Sequence, residues 1–398
     1  MTSYGSTTYP QRFEIMCRGS ASAYPINLRD LGAFGLRFSR HYRGGDKTAT
    51  FNIPARGNEP NVAPQVFQAE YDIRLHDRQG CFWRGKITEM AFQETTEGRF
   101  WSITATGYAT GLGEALDDAY RVDNKTLVQI ITDAIALATS SWDESSISTG
   151  GYSTANAGAV YPNIHGTGAF KAGQLIAWAS KFDEGAQWTI YAQDNGNRRF
   201  TYKPRPSSPS LYLRSSDFVN KDWGYSRSPL FNTVQVEYNR GGTVALPTYA
   251  YRTATDAVSA ADFGARTLAI RMWELVSSTD GDEVAAAVLA VAKRPRMSAT
   301  LFRTVAREGY GIMARRDLSP TGRTVPAHRI LAGELARFMD VPQLDQVATT
   351  TDFNAIAMIA ETEYDEESAT LTLTPESMED TTAGYLARFD AAAKGFLG

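Results

Sequence analysis

The chain has 398 residues, with 40 basic and 44 acidic side chains, a net charge of −4 and 43% hydrophobic residues. That length predicts two or three packed domains, and the composition excludes a disordered or collagen-like chain. No run approaches the ~18–20 apolar residues of a membrane helix. The opening MTSYGSTTYPQRF has no basic head followed by an apolar stretch, so no secretory signal is expected. A slightly acidic balance argues against tight nucleic-acid binding, which rests on phosphate neutralisation.

In chain order, FEIMCRGSAS and GLRFSRHY read as β, with Phe34, Leu36 and Phe38 on one strand face. The loop NIPARGNEPNVAP precedes three strand-like segments, Gln68–Asp77, Cys81–Gln93 and Gly98–Tyr108. Short polar turns join them, which predicts an antiparallel meander. After Gly113 the pattern becomes helical. Leu127, Ile130, Ile131, Ala134 and Ile135 share a face in Asp123–Ala138, with Asp123 or Asn124 as N-cap. A Ser/Thr/Gly-rich loop follows across 139–169. A second helix, AGQLIAWASKFDE, then leads into a hairpin turning at Asp194-Asn195-Gly196-Asn197. Lys203–Ser210, rich in Pro and Ser, reads as a boundary.

The remainder is again mostly β. LFNTVQVEYN and FGARTLAIRMWEL read as strands, and Asp280 with Glu283 has capping-box spacing for the helix VAAAVLAVAKR. MSATLFRTVA reads as a strand, Asn354–Glu376 as a two-strand unit, and Thr381–Leu397 as an amphipathic helix with a Tyr385/Phe389/Phe396 stripe. GKITEMAFQETTEGRFWSITATG closes the first β-region and NAIAMIAETEYDEESATLTLTP the second. With Ile87 set against Ala355, both read strand, acidic turn, Thr-rich strand. The fold class expected is mainly β with an α+β insert: two related β-barrel-like domains flanking a small helix–helix–hairpin domain, plus a C-terminal helix. The expected blocks are 1–115, 116–210, 211–380 and 381–398.

No catalytic, cofactor-binding or metal-ligating residue is assigned, and no cofactor is expected. Cys17 and Cys81 are too few for a disulfide framework or zinc site and read as small buried hydrophobes. His41, His76, His165 and His328 form no metal-type pair. Gly151-Tyr152-Ser153-Thr154-Ala155 mimics a nucleophile elbow but sits in loop rather than between strand and helix. Gly166–Lys171 precedes a helix but lacks the Gly-Lys-Ser/Thr ending of a phosphate loop. Glu361, Glu363, Asp365, Glu366 and Glu367 read as a solvated hairpin turn, without the glycine of a calcium loop. Of Trp83, Trp101, Trp142, Trp178, Trp188, Trp223 and Trp273, most read as core, and Trp142 lies in the loop.

YDIRLHDRQGCFWRGKITEM, the insert LIAWASKFDEGAQWTIYAQDNGNRRF and the closing YDEESATLTLTPES together carry a resemblance. The chain resembles the tail-hub, or baseplate-hub, proteins of tailed bacteriophages and the hub part of type VI secretion spike proteins. The resemblance implies a non-enzymatic structural virion protein at the tail tip, assembled in the host cytoplasm. It implies a homotrimer that docks on a six-fold distal-tail or tail-tube ring and holds a central fibre or spike. A tape-measure protein and transiently passing DNA are the other implied partners. A reading from another class is a carbohydrate-binding module or depolymerase, served by exposed tryptophans and a carboxylate pair. A third is a tail-tube or distal-tail subunit, against which the length and the two barrels argue.

Overall fold

The computed structural model describes residues 13–19, 25–55, 67–96, 98–113, 116–117, 125–141, 147–152, 160–161, 170–173, 176, 186–192, 198–203, 205–206, 208–214, 218–221, 225–226, 230–243, 246–272, 278–293, 296–297, 304–307, 314–315, 324–339 and 355–376. The C-terminal stripe of Tyr385, Phe389 and Phe396 lies outside them, as do Asp123 and Asn124.

Twelve strands organise the β-structure. The first six are β1 (Glu14–Arg18), β2 (Phe34–His41), β3 (Arg43–Pro54), β4 (Asp72–Asp77), β5 (Gly80–Thr95) and β6 (Gly98–Gly107). The other six are β7 (Leu211–Arg214), β8 (Phe218–Lys221), β9 (Thr304–Arg307), β10 (Leu335–Met339), β11 (Ala355–Asp365) and β12 (Thr370–Pro375). Hydrogen bonding orders the first set β1-β4-β5-β6-β3-β2 and the second β7-β10-β11-β12-β9-β8. Each strand of the first set thus has a counterpart of the same chain rank and sheet position in the second. All these neighbours are antiparallel except β7 and β10, which are parallel where β1 and β4 are antiparallel.

The two hairpins also share an irregularity. In β5 the register slips between Ile87↔Ala105 and Glu89↔Thr104, and in β11 between Ile359↔Pro375 and Glu361↔Thr374. Each slip places one extra residue, Thr88 or Ala360, on the outgoing strand, which is a β-bulge. The bulges match Ile87 with Ile359, rather than with Ala355 as the sequence pattern suggested. The reason is length. From bulge to turn the first hairpin runs Glu89–Thr95 and the second only Glu361–Asp365, before the turn 366–369.

Alternation of side chains across a strand explains the core. On β12, Leu371 and Leu373 are buried while Thr370, Thr372 and Thr374 face outward. One hydrophobic cluster joins both sets, from Phe13, Leu36, Phe51, Trp83 and Ile103 to Leu211, Phe338, Ile359, Tyr364 and Leu373. A second cluster lies beneath the helix Leu127–Ser141, the hairpin Gln187–Ala192/Arg198–Lys203 and the sheet Thr233–Thr243, Leu246–Thr255 and Thr267–Met272. The helix Ser278–Ala292 contributes Val284, Ala285, Val288 and Leu289 to it. This sheet and the helix Ser278–Ala292 thus pack into the same cluster as the helix Leu127–Ser141 and the hairpin.

Several local readings are corrected. The first helix is capped by Thr126, whose Oγ1 accepts the Gln129 amide while Gln129 Oε1 accepts the Thr126 amide. That is a capping box, closer to the helix than the expected Asp123 or Asn124. The helix expected to begin after Glu283 starts at Ser278, so Asp280 lies inside it. Gly281 lets the helix lie close on the sheet: a Cβ there would lie 3.1 Å from Arg252 Cγ. The Ser/Thr/Gly region contains a strand, Ile147–Tyr152, paired in parallel with Arg198–Lys203. The expected Asn-Gly hairpin is flanked by the ladder Gln187↔Lys203 to Ala192↔Arg198. It docks on β3 by parallel pairing of Trp188–Ile190 with Arg43–Gly45. Gly45 has φ 86° and a Cβ there would sit 2.6 Å from the Ile190 carbonyl oxygen, so the junction requires glycine.

Candidate functional site

The contact between the two strand sets concentrates the buried charge of the molecule's described part. Its backbone layer is the pairing of β2 with the end of β11, from Glu361↔His41 to Asp365↔Arg37. The Tyr42 amide donates to the Ala360 carbonyl at 2.9 Å and the Glu366 amide to the Leu36 carbonyl at 3.0 Å, extending the ladder at both ends. Two surface ion pairs cross it, Arg37 with Asp365 at 3.1 Å and Lys47 with Glu361 at 2.8 Å. Such exposed pairs contribute little.

Beneath that layer the pairs are buried. Arg40 is 1% exposed. Its Nε donates to Asp46 Oδ1 at 3.2 Å, its Nη1 to the His328 carbonyl at 2.8 Å and its Nη2 to the Phe82 carbonyl at 2.5 Å. Its guanidinium also lies 5.0 Å from the Phe38 ring centroid. Arg40 therefore ties β2 and β5 to the segment after Val325. That segment, a short 3-10 turn at Ala327–Arg329, inserts Val325, Ala327 and Ile330 into the shared core.

Asp77 secures the same segment from the β4–β5 turn. It accepts His328 Nε2 at 2.8 Å, Arg329 Nε at 2.6 Å and the Gln79 amide at 2.7 Å. The His328 ring is enclosed by aromatic rings, at 4.6 Å from Phe13, 5.2 Å from Phe82 and 5.9 Å from Tyr364. At the other end, Arg29 pairs with the Glu366 carboxylate, which also accepts the Phe13 amide at 2.9 Å. On the far side of β4, Asp72 accepts Arg84 Nε at 2.8 Å, Arg74 Nε at 2.7 Å and the Tyr108 hydroxyl.

Burial alone would raise the pKa of Asp77. Hydrogen bonds from Arg329, His328 and the Gln79 amide outweigh it and hold the carboxyl well below its ordinary value. At Asp72 burial is likewise outweighed by Arg84, Tyr108 and Arg74. Both groups are therefore anions at neutral pH, held by cations with fixed geometry. The donors of His328 and the arginines point at protein carbonyls and carboxylates, so this arrangement binds strand sets together.

The sequence candidates fall elsewhere. Gly151 and Tyr152 lie on the strand Ile147–Tyr152, while Ser153 lies outside the described residues. Phe170–Lys171 form a strand paired with Leu116–Asp117, and residues 166–169 lie outside the described residues. In the acidic cluster, Glu363 and Glu367 are exposed as expected. Glu366 is not: it is 6% exposed and paired with Arg29, a partner at a sequence distance that pattern reading does not reach. Cys17 and Cys81 form no disulfide and are buried, and burial pushes both thiols up to about 12. Among the described residues no group of His, Cys, Asp and Glu could hold a metal ion. None of the helices searched there is long and apolar enough to cross a membrane. Trp83 and Trp188 are buried, at 0% and 9% exposed, and Trp101 packs against the core, while Trp142 lies outside the described residues. Sequence reading overlooked Arg40, Asp77, His328 and Arg329. The Asp77-Arg78-Gln79-Gly80 turn signal marked one end of their network but not its partner.

No protein-family model matches the chain, and no curated protein matches it. Solved structures do. The prophage MuSo2 43 kDa tail protein from Shewanella oneidensis superposes with a TM-score of 0.57 at 12% identity, covering 92% of this chain and 99% of that one. The tail protein from Neisseria meningitidis MC58 gives 0.57 at 10% identity, covering 93% and 98%. Prophage tail protein gp18 from Listeria monocytogenes EGD-e gives 0.55 at 11%, covering 92% and 95%. At such identities the likeness is one of fold, and it runs over nearly the whole of each chain. The tail-protein resemblance read from the strand pairs and insert is thus met in three dimensions: this chain is mainly β and has the fold of these phage tail proteins.

Proposed function

We propose that the chain is a structural virion protein, the trimeric hub at the distal end of a phage tail. In this reading the two strand sets are two related β-barrel-like domains, and three chains present six similar units around one axis. The trimer then matches a six-fold tail-tube or distal-tail ring on one side and a three-fold central fibre or spike on the other. It closes the tube, contacts the tape-measure protein, and opens for DNA during infection. The observation that carries the proposal is the repeated strand order, β1-β4-β5-β6-β3-β2 against β7-β10-β11-β12-β9-β8, within one sheet. A closed ring of identical chains needs heterologous contacts, in which one patch meets a different patch on the next chain. Two alike domains per chain make the contacts inside and between chains alike. The net charge of −4 suits a channel that DNA traverses without sticking.

The ionic seam supports a mechanical role. Buried pairs satisfied on every side add fixed geometry more than net stability, and a hub must keep its two domains in one orientation under load. Negative-stain images of the purified full-length protein test the reading. Rings with six lobes and a central opening support it; dispersed single chains, or turnover of a capsular glycan by the same preparation, contradict it.

A further inference from the structure

The sheet Thr233–Thr243, Leu246–Thr255 and Thr267–Met272 is buried on one face and exposed on the other. Val234, Val236 and Ile270 lie in the buried cluster with Val284 and Val288 of the helix Ser278–Ala292. By alternation, the residues between them form the opposite face. Tyr251 and Tyr249 stand there, 57% and 37% exposed. Seven large hydrophobic side chains are exposed among the described residues, and only these two lie two positions apart on one strand, about 7 Å from each other. Asn239 lies opposite Tyr249, Glu237 lies opposite Tyr251, and Arg271 is next in the row beyond Glu237.

The row is held in place. The Tyr251 hydroxyl donates to the Glu237 carboxylate. Glu237, whose side chain is 12% exposed, pairs in turn with Arg271 at 3.8 Å. A hydroxyl that reaches a carboxylate on the neighbouring strand draws its ring over the sheet, with one ring face towards solvent. Asn239 Oδ1 accepts the Gly241 amide at 3.0 Å, which leaves the Asn239 NH2 group to donate. We propose that this face binds an uncharged polysaccharide, laid along Leu246–Thr255 with successive sugar rings on Tyr249 and Tyr251.

The chemistry of the face selects that ligand. A sugar ring presents C–H faces that pack on an aromatic ring, and hydroxyls at its rim that bond amide, carboxylate and guanidinium groups. Both kinds of partner stand side by side here. A small molecule needs a cleft, whereas an open sheet face suits a chain that makes a few contacts per unit. Nucleic acid needs a surplus of cations, and Glu237 offsets Arg271. The core of a protein interface is apolar, yet beside the tyrosines the outward apolar residue among the described ones is Ala269 alone. The proposal goes beyond the hub reading and does not depend on it. Each chain carries the whole face, and joining copies would raise avidity without a new contact.

The full-length protein, applied to an array of neutral and anionic bacterial surface saccharides, tests this. Retention on neutral saccharides without their turnover is expected. Tyr249→Ala with Tyr251→Ala should lower it about ten-fold or more. Either single change should lower it several-fold, so the test stands if the double variant fails to fold. Tyr251→Phe keeps the ring and should retain more binding than Tyr251→Ala. Val258→Ala, at a 71% exposed apolar residue outside the sheet, should bind like the parent. No retention on any neutral saccharide, retention on anionic ones alone, or equal retention by the tyrosine variants overturns the proposal. Each of those results leaves the hub reading standing, because that reading is decided by the assembly and not by the sheet face.

Discussion

The carboxylate of Glu366 is gripped by Arg29 and also accepts the amide of Phe13 at 2.9 Å, so the turn of the last hairpin holds both the start of β1 and the loop before β2. The side chains of the ion pair are 13% and 7% exposed. Glu366→Ala removes the carboxylate that neutralises Arg29 and accepts the Phe13 amide, leaving the guanidinium only the Phe13 and Ala33 carbonyls. The expected loss is about 3–5 kcal/mol, read as a lower denaturant midpoint at unchanged slope. Arg29→Ala combined with Glu366→Ala should cost less than the sum of the single changes. Additive losses would mean the pair does not couple the two ends.

Asp77 and Asp72 set the pH dependence. Their folded pKa values are depressed, so the unfolded chain binds protons first as pH falls. Their contribution is fully present above the unfolded aspartate value of ~3.9 and is lost as pH falls through the folded values. The share of stability these two carboxylates supply should hold from neutrality to about pH 5 and drop below about pH 4, while His76, whose folded pKa burial lowers, withdraws stability as pH falls through the ordinary histidine value. Asp77→Asn should lower stability at pH 7 and flatten that acid limb. A variant whose urea midpoint tracks the parent's at every pH would remove Asp77 from the explanation.

At the docking point of the insert, Gly45→Ala adds a Cβ 2.6 Å from the Ile190 carbonyl oxygen at a φ of 86°. The left-handed backbone alone costs about 1–2 kcal/mol, and the collision adds to it. Limited proteolysis should then cut the hairpin Gln187–Lys203 faster than in the parent. Equal cutting rates would show that the Trp188–Ile190 rungs are dispensable.

The helix Leu127–Ser141 depends on Thr126. Thr126→Ala should cost about 1 kcal/mol by removing the acceptor for the Gln129 amide, while Thr126→Ser should be near neutral. Thermal melts of both variants separate a cap from a buried packing role, which serine would not rescue.

Strands with strict alternation, such as Thr370–Pro375, were legible in the sequence because burial of one face imposes period two. So was the helical face of Ile130, Ile131, Ala134 and Ile135, all buried. Arg43–Pro54 was missed. Its Gly44, Gly45 and Asp46 start imitates a loop, yet those residues are buried where β3 meets the insert and Arg40. The seam was illegible for a different reason. Arg40 and His328, or Asp77 and Arg329, are joined only by the folded topology, and a lone buried ion carries no periodic signal. The repeat was visible as a pattern of residue types, but its alignment needed the bulges at Thr88 and Ala360, which only the hydrogen-bond ladder reveals.

The central claim is that two related strand sets per chain let three chains close a ring. The native mass of the purified full-length protein, measured across a dilution series, tests it most directly. The account predicts a species of three times the chain mass that persists on dilution, with no larger open polymer. A monomer or a two-fold dimer at all concentrations would contradict it.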